Sequence, residues 1–278
     1  MEEKKKLGLI YKILIGIGIL ILLFVSYIFL IEPKRLQIVE NQIVKTNLPE
    51  NFNGFKVAVF GDVHYGTTIH YEELSKAINE INGLSPDFII FTGDLFDSSI
   101  IYTETQYNEL TNLLSKLKAT QRMYAVYGDS DIDNNIHYDR IMSDSGFTIL
   151  KDANEVFYYK GSTPIMISGI LPNGSLENTI KTDEEVTFNI LISHYPNVVN
   201  EVTDEITEIV FAGHSLGGTI DLPFAGSLIK KDNVDDYYKG HYNINNISLF
   251  VHNGLGSEKY KFRFNNIPSI HLYRLYNF

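Results

Sequence analysis

The hydrophobic pattern divides the chain into an apolar N-terminal segment and a longer part in which short apolar runs alternate with amphipathic stretches. Nineteen uncharged residues, rich in Ile and Leu, run from Ile13 to Ile31. As a helix that rises about 1.5 Å per residue, they cover about 28 Å, close to the hydrocarbon core of a bilayer. A cleaved signal peptide has a shorter apolar region that ends in a small-x-small site. Because this segment ends in Phe29-Leu-Ile-Glu-Pro33, the pattern favours an uncleaved anchor over 13–31.

After the anchor, strand-like and helix-like patterns alternate. Alternating or continuous apolar runs predict strands over Leu36–Val44, Phe55–Gly61, Phe88–Asp94 and Met123–Gly128. Apolar residues at helical spacing predict helices over Tyr71–Ile81, which Gly83 should stop, and Tyr107–Leu117. Strands that alternate with helices in this way are typical of parallel β-α-β units.

The second half of the chain contains strand-like runs with few helical patterns between them. These runs are Val156–Lys160, Ile165–Ser168, Phe188–His194, Ile209–Gly213, Ile247–His252 and Ile270–Leu275. We therefore expect one α/β domain over 32–278, with two packed sheets and helices outside them. About 240 residues are enough for a single large core.

Charge changes this picture in two ways. The first twelve residues hold four Lys and two Glu, so the remaining chain carries 19 basic and 32 acidic residues, a net charge of −13. No basic stripe is left to neutralise a phosphate backbone, so nucleic acid is not an expected partner. The lack of cysteine excludes a disulfide framework.

The distribution of basic residues around the apolar segment predicts its orientation. The residues before it are Lys4, Lys5, Lys6 and Lys12, and those after it are Lys34 and Arg35. The excess before the segment favours a cytoplasmic tail over 1–12 and a globular domain on the extracytoplasmic side of the cell membrane. The lipid bilayer is thus an expected partner, bound through the N-terminal helix.

Acids and histidines stand just past the ends of the predicted strands. Asp62 and His64 leave one strand side by side, because residues two apart in an extended segment point the same way. Other strands are followed by Asp94 and Asp97, by Asp129, by His194 and by His214. A single acid there would be a helix cap, but five strand ends with the same chemistry indicate an ion site. Carboxylates mixed with imidazoles suit Mn, Fe or Zn better than Mg.

In these segments the sequence resembles the calcineurin-like metallophosphoesterases, and within them the membrane-anchored bacterial branch, from about Leu36 to the C-terminus. The matching segments are Gly61–Gly66, Gly93–Asp97, Tyr127–Asp131, Ser193–Pro196, Gly213–Gly218, His252–Gly256 and Arg263-Phe264. The resemblance implies a four-layer α/β/β/α sandwich that hydrolyses a phosphomonoester, phosphodiester or pyrophosphate bond. The anchor and this branch suggest a phosphorylated small molecule or lipid as substrate, with the phosphate lipid- or nucleotide-linked.

The resemblance also implies a role for each candidate residue. Two divalent ions would share Asp94 as a bridging ligand. Asp62 and His64 match the other ligands of the first ion, and His194 and His214 match ligands of the second. Asp97 matches an acid behind the ligands that orients its neighbours.

Three positions depart from the family pattern. Asp129 stands where the family has Asn, and it still offers an oxygen ligand. Leu216 stands where the family has a second His, so the first ion keeps Asp62, His64 and Asp94 alone. Ser130 stands where the family has the His that protonates the leaving group, a form of catalysis worth about 10²–10⁴-fold.

These departures predict one firmly held ion, a second that is weak or absent, and slow activity. His241 or His252 could replace a lost ligand or acid. The alternative hypothesis is a degenerate domain that binds metal or a phosphorylated ligand without turnover.

A second alternative is a serine esterase. Gly213–Gly217 fits Gly-x-Ser-x-Gly, the nucleophile elbow that would make Ser215 the nucleophile. The elbow requires a helix directly after the serine, whereas two glycines follow here and Pro223 comes soon after. This hypothesis also leaves the acids and histidines of the other strand ends without a role.

Overall fold

The computed structural model describes residues 2–180, 186–203, 207–258 and 261–278. Met1 and the side chains of residues 2–5, including Lys4 and Lys5 of the expected basic tail, lie outside the described residues. The helices are α1 (Glu2–Ser26), α2 (Tyr71–Leu84), α3 (Glu104–Leu114), α4 (Asn135–Asp144) and α5 (Leu176–Thr179). The strands are β1 (Gln37–Val44), β2 (Lys56–Phe60), β3 (Phe88–Phe91), β4 (Arg122–Ala125), β5 (Thr148–Ile149), β6 (Ala153–Phe157), β7 (Ile165–Gly169), β8 (Asn189–Ile192), β9 (Ile209–Ala212), β10 (Asp221–Leu222), β11 (Gly226–Ser227), β12 (Gly240–Ile244), β13 (Ile247–Val251) and β14 (Ser269–Tyr276).

The described strands form two six-stranded sheets and a separate hairpin. The first sheet has the order β1-β14-β2-β3-β4-β5, in which β14 runs antiparallel to β2 and the other pairs are parallel. The second sheet has the order β12-β13-β9-β8-β7-β6, with antiparallel pairs at its two edges and parallel strands between them. Strands β10 and β11 form the hairpin. The expected parallel β-α-β units are therefore present.

Three apolar clusters separate the layers of the domain. In the first, α2, α3 and α4 bury residues such as Leu74 and Leu110 against the outer face of the first sheet. The second lies between the sheets and joins side chains such as Val57 and Phe211. The third covers the outer face of the second sheet with α5 and a 3-10 turn, Pro196–Asn200. This order confirms the α/β/β/α fold, with a thin outer layer on the second sheet.

The ends of two predicted helices shift for local reasons. Helix α2 passes Gly83 and ends where Ser85 adopts a left-handed conformation (φ 49°), just before Pro86. Helix α3 begins three residues earlier than expected, because Thr103 and Gln106 form a reciprocal cap at its first turn. It also ends three residues earlier, at Leu114.

Helix α4 was absent from the predicted elements. It buries Tyr138, Ile141 and Met142 on one face, and this spacing is helical. The helix is short and follows directly on the polar 3-10 turn Asp129–Asn134, so its apolar stripe contains few residues.

The N-terminal segment enters the domain at the rim that carries the predicted site loops. Strands β2, β3 and β4 are parallel, so their carboxyl ends lie at one edge of the first sheet. Because β14 is antiparallel to β2, it begins at this edge, and β1 begins there as well, since it is parallel to β14. The segment before β1 is therefore a neighbour of the site loops.

Helix α1 continues through a π-helical turn, Tyr27–Ile31, and a 3-10 turn, Glu32–Lys34. The stretch Lys6–Lys34 is long and apolar enough to cross a membrane, judged by length and composition. A signal sequence that is later removed would meet the same criterion at this position. The anchor bounds 13–31 stay a prediction.

Aromatic rings join the last turns of this segment to the loop before β14. The ring of Phe24 lies 5.0 Å from that of Phe264, with an edge-to-face arrangement. The ring of Phe29 lies 5.1 Å from that of Phe262. Such pairs contribute about 0.5–1.5 kcal/mol each beyond the area that they bury.

Polar contacts continue this junction toward the domain. The backbone N–H of Arg263 donates to the carbonyl of Ile28 at 3.2 Å. The Glu32 side chain is buried, and its carboxylate accepts the backbone N–H of Asn266. The amide of Asn266 in turn donates to the carbonyl of Leu216. A short chain of hydrogen bonds thus runs from the end of the apolar segment to one of the site loops.

The layer between the sheets predicts a large cost for truncating Phe88. Its ring lies 4.7–5.3 Å from those of Phe55, Tyr124 and Phe157. We expect Phe88→Ala to lower the free energy of unfolding by about 3–5 kcal/mol. The matched Phe278→Ala substitution, at an exposed ring, should change it by less than about 0.5 kcal/mol. Urea unfolding of the full chain in detergent measures both, and equal effects would contradict this packing.

Candidate metal centre

The predicted site residues come together at the rim where strands of both sheets end. Asp62 and His64 follow β2, Asp94 follows β3 and Asp129 follows β4; His194 and His214 follow β8 and β9. Carboxylates and imidazoles thus reach one point from the strands of two sheets. They form two groups that share Asp94.

The first group contains Asp94, Asp129, His194 and His214. One potential ligand atom from each residue lies within 4.8 Å of all the others. His194 Nε2 lies 3.0 Å from Asp129 Oδ1, 3.3 Å from Asp94 Oδ2 and 3.1 Å from His214 Nδ1. Four nitrogen and oxygen atoms therefore surround one position, which is the number and type of ligands that a borderline divalent ion takes.

Backbone carbonyls determine which nitrogens of the two imidazoles carry protons. His194 Nδ1 lies 2.8 Å from the carbonyl of Thr92, and His214 Nε2 lies 3.0 Å from that of Asp232. A carbonyl can only accept, so each of these ring nitrogens is a donor. In the neutral rings, His194 Nε2 and His214 Nδ1 then present lone pairs to each other. Either a proton on His194 Nε2 or a metal ion between the rings resolves this conflict, so the residues fit a metal ion.

The second group contains Asp62, His64 and Asp94, again with ligand atoms within 4.8 Å of one another. Both ring nitrogens of His64 and Oδ2 of Asp94 are buried without a hydrogen-bond partner among the described residues. Buried polar atoms in folded proteins nearly always have partners. These orphaned atoms are therefore a second indication that the rim is shaped for cations.

The charges of the first group favour a positive ion at its centre. Burial raises the pKa of Asp129, but the adjacent imidazole rings of His194 and His214 outweigh burial and hold this pKa well below its usual range. Burial likewise opposes protonation of His194, yet the nearby Asp94 and Asp129 carboxylates raise the pKa of His194 well above its usual value. The group thus carries negative charge that a proton or a metal ion neutralises.

Access to the centre is from the side of Asp129. Its side chain is 40% exposed, whereas those of Asp94 and His194 are fully buried and that of His214 is 5% exposed. The first group is therefore open to solvent on that side.

The loops that carry the ligands are held in unusual backbone conformations. Asp62, His64, Asp94 and His214 all have positive φ, between 44° and 65°. Such conformations are uncommon for residues other than glycine and are concentrated at functional sites. The loops also approach closely, because a Cβ on Gly128 would lie 2.0 Å from Asp94 Oδ1.

Asp131 holds the Asp94 loop in place, a role that the sequence pattern did not reveal. Its buried carboxylate accepts the backbone N–H groups of Asp94, Leu95, Phe96 and Gly128 at 2.8–3.1 Å. Four donors on one carboxylate fix the loop after β3 against the loop after β4. The only sign in the sequence was a second acid two residues after Asp129.

Asp97 ties two site loops together behind the ligands. Its carboxylate accepts the hydroxyl of Thr67 at 2.6 Å and the backbone N–H of Ser99 at 2.9 Å. Thr67 lies three residues after His64, so Asp97 fixes the course of that loop. The expected orienting role stays a prediction that this geometry supports.

The departures from the family pattern lie beside the ligands. The backbone N–H of Ser130 donates to Asp94 Oδ1 at 3.0 Å, and its side chain has no ring to protonate a leaving group. Leu216 is buried with φ 49°, and it packs with Asp62 around Gly254. An apolar group therefore occupies the neighbourhood of the second group, which keeps three candidate ligands.

Neither His252 nor His241 replaces a missing ligand in this arrangement. His252 Nδ1 accepts the N–H of Gly254 at 2.9 Å, and Nε2 donates to the Thr92 hydroxyl at 2.6 Å. Burial lowers the pKa of His252 to about 4, so the ring is neutral with both nitrogens engaged. His241 lies on edge strand β12 and stacks on Phe250 at 4.4 Å.

Ser215 does not sit in a nucleophile elbow. It precedes a 3-10 turn, Leu216–Gly218, and not a helix. Its buried hydroxyl donates to the carbonyl of Tyr238 at 2.6 Å and accepts the N–H of Gly217 at 3.1 Å. The serine is therefore a structural residue of the turn.

Comparison with known proteins agrees with this geometry. Residues 55–242 match the family model described as calcineurin-like phosphoesterase. The chain is 30% identical over 256 residues to the uncharacterized metallophosphoesterase YkuE of Bacillus subtilis (strain 168), which covers 90% of this chain and 89% of that protein. It is 25% identical over 308 residues to the UDP-2,3-diacylglucosamine pyrophosphatase LpxG of Chlamydia trachomatis serovar D, covering 88% and 90%. It is 22% identical over 257 residues to the phosphodiesterase YaeI of Escherichia coli (strain K12), covering 90% and 92%.

The match spans most of the domain that the two sheets build, and it includes the loops after β2, β3, β4, β8 and β9. The Asp and His groups at this rim are positioned to hold a divalent metal, as the family requires. The chain therefore belongs to the calcineurin-like phosphoesterases, a family of metal-dependent hydrolases.

Proposed function

We propose that this protein is a membrane-anchored phosphoesterase that cleaves a phosphomonoester, phosphodiester or pyrophosphate bond in a lipid- or nucleotide-linked substrate. The observation that carries the proposal is the pair of imidazole nitrogens, His194 Nε2 and His214 Nδ1, which face each other at 3.1 Å between two carboxylates. Two acceptors in this position have a use when a cation lies between them.

The proposed ligands divide into a strong and a weak set. Asp94, Asp129, His194 and His214 would hold one divalent ion with four nitrogen and oxygen donors. Two imidazoles in the set favour Mn, Fe or Zn over Mg. The second set has three donors, Asp62, His64 and Asp94, and we infer that it binds an ion more weakly.

Bound divalent ions supply charge stabilisation to the phosphoryl group and make a nucleophile from water near neutral pH. The protein's own part is orientation. Thr92 and Asp232 keep the histidine lone pairs pointed inward, and Asp131 holds the Asp94 loop. Because Ser130 has no imidazole, the leaving group is protonated from solvent, which predicts turnover slower than in relatives with His by about 10²–10⁴-fold.

Two features support a substrate at the membrane. The N-terminal apolar segment would anchor the domain, and the excess of basic residues before it favours the extracytoplasmic side. LpxG, a relative over most of the chain, is named as a pyrophosphatase of UDP-2,3-diacylglucosamine, a nucleotide joined to an acylated sugar. A lipid-linked phosphate or pyrophosphate is therefore the substrate class that we propose.

The second candidate function is a domain that binds metal or a phosphorylated ligand without turnover. Ser130 and Leu216 motivate it, because each replaces a histidine that the family uses in catalysis or metal binding. The four-donor set of Asp94, Asp129, His194 and His214 is intact in this case too, so metal binding alone does not separate the two candidates.

Metal content tests the ligand assignment. We expect the purified full chain to keep about one divalent ion after extensive dialysis, with a second ion bound only when the metal is supplied in excess. His214→Ala should lower the retained metal several-fold, because it removes one of four donors. His241→Ala is the matched control and should retain the same metal as the parent protein, since His241 stacks on Phe250. Elemental analysis measures both variants; equal metal retention in the two would refute the assignment.

Restoring the family residues tests whether the native protein turns over. We expect the native chain to hydrolyse a generic phosphodiester slowly when manganese is present, and the double substitution Ser130→His with Leu216→His to raise the rate by about 10²–10⁴-fold. A native rate that equals the uncatalysed rate, followed by a steep rise in the double variant, would instead support the non-catalytic candidate. A serine-directed covalent inhibitor should leave both rates unchanged, because the Ser215 hydroxyl is engaged with Tyr238.

A further inference from the structure

The hairpin of β10 and β11 carries an exposed aromatic ring at its tip. Asp221 pairs with Ser227 and Leu222 with Gly226, so Pro223, Phe224 and Ala225 form the turn. Phe224 is fully exposed. A large apolar side chain at such a tip is costly in water, and exposed apolar groups of this kind mark contact surfaces.

Leu228, just after the hairpin, is a second exposed apolar side chain, at 59% exposure. Its backbone N–H donates to the carbonyl of Ile220 at 2.9 Å, which fixes it to the base of the hairpin. Together, Phe224 and Leu228 form an exposed apolar surface on the hairpin, outside the core of the domain.

The hairpin is joined directly to the segment that packs on the N-terminal helix. Asp221 donates its N–H to the carbonyl of Phe264 at 3.0 Å, and Phe264 donates its N–H to that of Thr219 at 3.1 Å. The ring of Phe264 packs on that of Phe24 at 5.0 Å. One residue thus contacts both the base of the hairpin and the helix proposed as the anchor.

The side chains around the end of the helix are those expected at a membrane surface. Tyr27 accepts a hydrogen bond from Arg35 at 3.2 Å, and Lys34 is exposed beside them. Tyrosines and basic side chains concentrate at the boundary between the acyl chains and the headgroups. This places the boundary near Tyr27 to Arg35, at the level of the 262–264 loop that the hairpin contacts.

The hairpin is also close along the chain to a residue of the candidate metal centre. It follows His214 and the turn Leu216–Gly218, and the hydroxyl of Ser227 donates to the carbonyl of Gly218 at 3.1 Å. Whatever holds the hairpin therefore positions the loop that carries a proposed metal ligand.

From these contacts we propose that the hairpin is a second membrane contact, with Phe224 and Leu228 inserted into the interface of the bilayer that holds the anchor. The inference rests on the membrane anchorage proposed above. A bilayer is favoured over a partner protein because the helix contacting Phe264 would already bring the lipid surface to the base of the hairpin. Amphipathic elements with exposed Phe and Leu bind in this interfacial layer. The metal centre then lies at the level of lipid headgroups, where a lipid-linked phosphate is found.

The absence of tryptophan in the chain gives a direct test, because each substitution by Trp introduces the only indole. The full chain would be reconstituted in vesicles of phosphatidylcholine and phosphatidylglycerol, with and without bromine on the acyl chains. The variants are Phe224→Trp at the hairpin tip, Leu14→Trp in the proposed anchor, and Phe278→Trp as the control. Phe278 is also an exposed ring, but it follows β14 at the end of the sheet opposite the metal centre.

We expect the indole of Phe224→Trp in vesicles to emit at a shorter wavelength than the indole of a short tryptophan peptide in buffer. Brominated lipid should quench it several-fold more than it quenches Phe278→Trp. Leu14→Trp should be quenched most strongly. Leu228→Trp is an independent variant of the same surface and should follow Phe224→Trp.

Other results would overturn the inference. Quenching of Leu14→Trp with no difference between Phe224→Trp and Phe278→Trp would keep the anchor but leave the hairpin in water, assigning its tip to a protein partner. Equal and strong quenching at Phe224 and Phe278 would mean that the domain lies on the membrane in another orientation. Lack of quenching at Leu14 would refute the anchorage and the hairpin contact together, whereas the metal and activity tests above would stand on their own.

Discussion

Two backbone carbonyls determine which imidazole nitrogens point into the candidate metal centre. By accepting hydrogen bonds from His194 Nδ1 and His214 Nε2, the carbonyls of Thr92 and Asp232 leave the opposite ring nitrogens as acceptors that face each other. Without a proton or a metal ion between the rings, this arrangement places two lone pairs and two carboxylates around one point, which is unfavourable in buried surroundings. The fold maintains it because each imidazole is fixed by a part of the chain that belongs to a sheet or a tight turn. The ligand geometry is thus set in part by the protein's own hydrogen bonds.

Such preorganisation depends on loops that pass unusually close to one another. Gly128 leaves room for the Asp94 carboxylate, and Asp131 then fixes the Asp94 loop with four hydrogen bonds. The positive φ of four candidate ligands is the conformational cost of aiming short side chains at one point from strands of two sheets. These requirements explain why each candidate ligand lies within four residues of the end of its strand. A ligand farther along its loop would lose the backbone partners that hold it.

The sequence pattern predicts much of this arrangement, and its failures have physical causes. Strands buried on both faces, such as β3 and β8, appear as continuous apolar runs, so their ends and the ligands beyond them could be placed in advance. Asp131 could not be identified, because its partners are backbone N–H groups that leave no mark in the sequence. Helix α4 was missed because its apolar stripe is only three residues long.

Exposure was the other property that the pattern could not supply. Phe224 and the core residue Phe88 are the same residue type in apolar surroundings of the sequence, yet one is fully exposed and the other fully buried. Periodicity distinguishes exposed from buried positions only when an element is long enough to have two faces. The strands beside Phe224 have two residues each and are too short for this. The states of His241 and His252 depended in the same way on tertiary contacts, with Phe250 and Thr92 respectively.

The buried Glu32 has a consequence for how the domain would search for its substrate. Since its carboxylate binds Asn266, and Asn266 binds the turn at Leu216, the domain is joined to the helix by a stiff connection and not by a swinging tether. An enzyme on a long flexible tether can reach far into the surrounding fluid and sample many orientations. With the helix anchored as proposed, a stiff connection would restrict the encounter to molecules that move within the plane of the bilayer, and lateral diffusion would set the rate at which substrate arrives.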